Sequence, residues 1–141
     1  MKLQPPLKVT ARPEYRSCAP GGGAKLDEFI AKLPDLIDAG VDVLHPVQKQ
    51  TMDEKATVES FGGKISFLCG IDVQHVLQEA DADGVREEVR FLIDTFDRPE
   101  GRMCIAAGNG IVADTPMENI DAFLDEAIAY GSEHRKTVTT A

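Results

Sequence analysis

The chain has 141 residues, 43% hydrophobic and 28% charged, with 12 glycines and 8 prolines, which is the make-up of one globular domain and excludes a disordered or fibrous chain. Its 15 Lys and Arg stand against 24 Asp and Glu, a net charge of −9, so a phosphate-tracking basic surface is excluded and nucleic acid is not an expected partner. The longest apolar runs reach about half of the ~20 residues that span a membrane, and residues 1–6 hold no secretory apolar stretch, so no membrane association and a cytoplasmic location are expected.

Residues 1–24, with Pro5, Pro6, Pro13 and Pro20 and the run Gly21-Gly22-Gly23, read as an extended leader. The glycine run before Lys25 lacks the spacing of a phosphate-binding loop. From residue 25 the apolar positions Leu26, Phe29, Ile30, Leu33, Leu36 and Ile37 mark an amphipathic helix, kinked or restarted at Pro34 and ended by Gly40. Residues 41–45 then read as a buried strand closed by Pro46. Thr51 and Glu54 have the spacing of a capping box, which predicts a short helix to about residue 60.

A second strand is expected over 64–69, with Gly70 as its end and a short helix after Asp72. Between 83 and 96, Val85, Val89, Leu92, Ile93 and Phe96 form an apolar face opposite Arg86, Glu87, Glu88 and Arg90. A third strand spans 102–107. The last helix opens at Thr115, Pro116 and Glu118, with Ile120, Phe123, Leu124, Ala127 and Ile128 as its buried face. Residues 25–131 form the folded body, and 132–141 read as a polar, frayed tail. Alternating helices and strands imply α/β architecture, with parallel strands joined by right-handed crossovers.

In such folds functional groups gather at the carboxyl ends of the strands. That rule selects His45 and Gln48 after the first strand, Cys69, Asp72 and Gln74 after the second, and Asn109 and Asp114 after the third. His45 could equally bond only to backbone, and Asp72 could simply cap the segment that follows it. Cys69 and Cys104 lie in apolar strands and read as small hydrophobes. Cys18, His45 and Cys69 are weak metal candidates, because no CxxC or HxxxH spacing supports them. His75 and His134 read as helix-face and tail residues.

The loops also carry longer motifs. Gly40-Val41-Asp42-Val43-Leu44-His45-Pro46-Val47-Gln48, Met52-Asp53, the stretch from Phe61 through Cys69-Gly70-Ile71-Asp72-Val73-Gln74, Gly108-Asn109-Gly110-Ile111 and Asp114-Thr115-Pro116-Met117-Glu118 occur in order over 26–130. Together they resemble the C-terminal part of the uroporphyrinogen decarboxylase family, which includes haem-pathway decarboxylases and methylcobamide:thiol methyltransferases. The resemblance implies a partial (β/α)8 barrel comprising the C-terminal three to four βα units. It also implies a carboxy-lyase type of activity on a tetrapyrrole-like substrate, without an organic cofactor, and a substrate-binding set of His45, Gln48, Asp72, Gln74 and Asn109. A homo-oligomer or a complementary N-terminal half-barrel is the partner implied.

This chain departs from the family in three places. The family's N-terminal arginine motif and early aspartate have no counterpart in residues 1–23, so the chain alone is expected to be an incomplete catalyst. The decarboxylases' Gly-His-Gly at the last strand is here Gly108-Asn109-Gly110. The methyltransferase branch's His-x-Cys and late cysteine are represented only by Arg16-Ser17-Cys18. A corrinoid-dependent methyltransferase-like member is the alternative implied by the same motifs, and a non-catalytic half-barrel assembly module is the alternative from a different class.

Overall fold

The computed structural model describes residues 23–140 apart from 48, 50, 51, 101 and 109, and side chains only within 30–139. In chain order the elements are α1 (Gly23–Asp38), β1 (Val43–Val47), α2 (Glu54–Phe61), β2 (Ser66–Ile71), α3 (Ala82–Phe96), β3 (Met103–Ala107) and α4 (Met117–Thr140). The strands form one sheet in the order β1-β2-β3, and both pairings are parallel. The α/β class and parallel sheet are as expected.

Local chemistry sets the element ends. α1 runs through Pro34 and stops where Gly40 takes φ +91°. There the Gly40 and Val41 amides donate to the Ile37 and Leu36 carbonyls at 2.9 and 3.0 Å, the paired closure that a glycine past a helix end permits. Asp53 caps α2 by accepting from the Ala56 amide at 3.0 Å, and Asp81 caps α3 by accepting from Gly84 at 2.8 Å. The α2 cap is therefore Asp53 and not Thr51, which lies outside the described residues.

Strand registers sort the side chains onto two faces. Leu44, Phe67 and Met103 are aligned across the sheet, as are Val47, Cys69 and Ile105. That face packs on the helices, with Phe67 meeting Phe96 of α3 at a ring-centroid separation of 5.2 Å. Val85, Val89, Leu92, Ile93 and Phe96 are all buried, as their spacing predicts. The alternate positions, from Val43 and Ser66 to Leu68 and Cys104, form the opposite face. On it Val43 is 51% exposed and Cys104 is also exposed.

Several expectations change. β1 includes Pro46, an edge-strand position where a missing amide donor costs no ladder bond. β2 begins and ends two residues later than expected and contains Gly70. The segment after Asp72 forms turns rather than a helix. Cys104 is exposed because it sits on the open face of an edge strand. Of the face expected to be buried on the last helix, Leu124 and Ile128 are 50% and 69% exposed, whereas Phe123 is buried; α4 packs along α3, so only a narrow stripe is covered.

Residues 132–140 continue α4 rather than forming a frayed tail. Arg135 ties them back by donating to Asp97 Oδ1 at 2.9 Å and to the Arg98 and Pro99 carbonyls. Thr115 does not supply the expected cap, since its buried hydroxyl has no hydrogen-bond partner among the described residues.

Candidate functional site

Because the sheet is parallel, the segments leaving β1, β2 and β3 emerge along one edge. The edge is knitted together locally: the Gly108 amide donates to the Ile71 carbonyl at 3.4 Å, joining the ends of β3 and β2. Asn119, buried in the first turn of α4, donates through Nδ2 to the Leu77 and Ala80 carbonyls at 3.0 and 2.8 Å. Its carboxamide thereby fixes the segment after β2 against α4, and Val73 and Leu77 anchor that segment in the core.

His45 is exposed within β1, and its Nδ1 lies 3.4 Å from the Leu68 carbonyl, to which the Nδ1–H tautomer donates. Asp72 follows β2 directly, and its Oδ1 accepts from the Gln74 and His75 amides at 2.9 and 3.0 Å. The capping role therefore occupies one carboxylate oxygen. Gln74 is exposed at the turn this creates. Gln48, Asn109 and Cys18 lie outside the described residues. His45 lies level with Leu68, within the sheet and short of the end of β2, while the edge itself carries the Asp72 carboxylate and the Gln74 amide, groups suited to orienting a polar substrate by hydrogen bonds.

Cys69 is fully buried on the helix-covered face. Burial, and after it the neighbouring Glu54 and Cys104, push its thiol well above the usual range, so it is an inert core group and not a thiolate ligand. Among the described residues no group of three or more His, Cys, Asp or Glu is placed to hold a metal ion. None of their helices is long and apolar enough to cross a membrane. An open groove of about 660 Å³ runs between α2, α3 and the end of α4, lined by Lys55, Phe91, Asp94, Arg98 and His134, apart from His45 and Asp72.

A polar cluster behind the sheet was not anticipated. Glu54 and Glu88 are 6% and 7% exposed, although Glu88 had been assigned to the polar face of its helix. Lys49 forms an ion pair with Glu88 Oε2, and its ammonium stands 4.8 Å from the Phe91 ring centroid. Burial first, then the charge of Glu88, raises the Glu54 pKa to about 7, with Lys49 opposing and Asp53 adding to the rise. Periodicity held the signal: Glu54, Thr57, Val58 and Phe61 form one buried stripe, and Glu88 falls between Val85 and Leu92 on another.

Among the described residues, fold and edge together define an α/β arrangement with a three-stranded parallel sheet whose strands each lead towards a helix. No family model and no curated protein matches the chain.

Proposed function

We propose that the chain is the C-terminal part of a uroporphyrinogen decarboxylase-type (β/α)8 barrel, with a cleft built from His45, Gln48, Asp72, Gln74 and Asn109. The observation that supports this most is the sequential order of three parallel strands with one face buried and the other, among the described residues, partly exposed. In a closed barrel the open face, with Val43, Leu68 and Cys104, becomes part of the inner wall, and β1 and β3 pair with further strands.

The substrate class is a tetrapyrrole-like polycarboxylate, and the reaction class is carboxy-lyase. The cleft residues supply hydrogen bonds, and Asp72 is the one carboxylate among them. Cations that balance substrate carboxylates therefore come from the complementary N-terminal half. Alone, the chain binds but turns over little or no substrate.

Fluorescence titration of uroporphyrin into the 141-residue chain tests this. Saturable binding is expected, weakened about tenfold by His45→Ala combined with Gln74→Ala, equivalent to about 1.4 kcal/mol. Absence of binding, or binding indifferent to both substitutions, contradicts the cleft; decarboxylation by the chain alone contradicts its incompleteness.

A second reading, a non-catalytic assembly module, is favoured by the exposure of Val43 on the sheet and Leu124 and Ile128 on α4. It predicts self-association by light scattering with no porphyrin binding.

A further inference from the structure

The cluster behind the sheet plays no part in the proposed cleft, and its charges do not balance. Glu54 opens α2, and its Oε1 is buried with no hydrogen-bond partner among the described residues. Glu88 is buried on α3, which packs against α2, close enough for its charge to act on Glu54, and it is engaged by Lys49 of the β1–α2 connection. Asp53 lies beside the pair but spends its Oδ1 on the α2 cap. The Cys69 thiol of β2 contributes no charge.

With both glutamates ionised, two buried carboxylates share the field of the Lys49 ammonium, the one cation beside them among the described residues, and Glu54 Oε1 is desolvated without a donor among those residues. Such an arrangement is costly, and a single bound proton relieves it. We propose that Glu54 and Glu88 are a proton-binding pair across the α2–α3 interface, which holds one proton when α2 is docked and weakens that docking when the proton leaves.

The sign follows from linkage. The folded chain holds the Glu54 proton up to about pH 7, against an ordinary value of 4.5. The stabilisation is fully present below the ordinary value and is lost as pH rises through the folded value. Within that window the folded-to-unfolded ratio falls by up to about tenfold per pH unit from this site. Carboxylates whose pKa is lowered on folding act in the opposite direction, so the site is isolated by comparing variants.

The test is denaturant unfolding of the full chain and its Glu54→Gln and Glu88→Gln variants from pH 4 to 9, with carbon-13 NMR titration of the wild-type glutamate carboxyls. Three results are expected: a Glu54 carboxyl titrating near 7, loss of the alkaline weakening in E54Q, and a downward move of the Glu54 titration in E88Q. A Glu54 resonance titrating near 4.5 overturns the proposal and requires no variant to fold. An E54Q variant with the same pH dependence as wild type also overturns it.

Discussion

The two faces of the sheet come from the same strands but differ in what they meet. On β2, Phe67, Cys69 and Ile71 are buried, while the alternate Leu68 is only partly covered. On β1, Leu44 is 5% exposed and its neighbour Val43 is 51% exposed. The open face is mixed, with Ser66 and His45 among Val43, Leu68 and Cys104, yet it keeps apolar residues on the side that the helices leave, a feature of parallel strands covered twice. Exposure of one such face marks a surface suited to burial rather than one suited to water.

Substitutions can break or sharpen this contrast. The largest effect is expected at Phe96, 1% exposed and packed on Phe67: Phe96→Ala should cost about 3–5 kcal/mol in urea unfolding, a large share of the roughly 5–15 kcal/mol by which domains are stable. A loss below about 1 kcal/mol would mean that α3 does not cover the sheet. The smallest effect is expected at Val43, where Val43→Thr keeps the β-branched shape and should change stability by no more than about 0.5 kcal/mol. A loss above about 2 kcal/mol there would show that the second face is covered in solution.

Much of the architecture could be read from the sequence because it is written in periodicity. The α3 stripe and the order of elements needed only spacing, and the parallel sheet followed from the alternation of types. Boundaries were less legible because Pro46 and Gly70 look like terminators, yet an edge strand tolerates the first, and the second lies within β2. The final turns of α4 were read as tail because their composition is polar. Their order comes from Arg135 and its partners 36 to 38 residues away, contacts with no local signature.

Of the candidate residues that are described, Asp72 and Gln74 follow the carboxyl end of β2, whereas His45 sits in the middle of β1, because the strand runs through Pro46 to Val47 and does not stop at residue 45. The structure adds that Asp72 Oδ1 accepts from the Gln74 and His75 backbone amides, an engagement that residue type alone leaves open. Glu54 and Glu88 were missed for a different reason. Capping-box spacing at Glu54 and a charged neighbourhood at Glu88 each point to solvent, while the apolar stripes that both residues interrupt, Thr57-Val58-Phe61 and Val85-Val89-Leu92, point to the interior.

The central claim is that one face of the parallel sheet is packed and the other is open, and cysteine labelling with peptide mapping tests it directly. Cys104 lies exposed on the open face, and Cys69 is fully buried on the packed one. Under native conditions a maleimide should modify Cys104 at the rate of an accessible thiol and reach Cys69 only as fast as the chain unfolds. Equal protection of both, or faster modification of Cys69, would contradict the account.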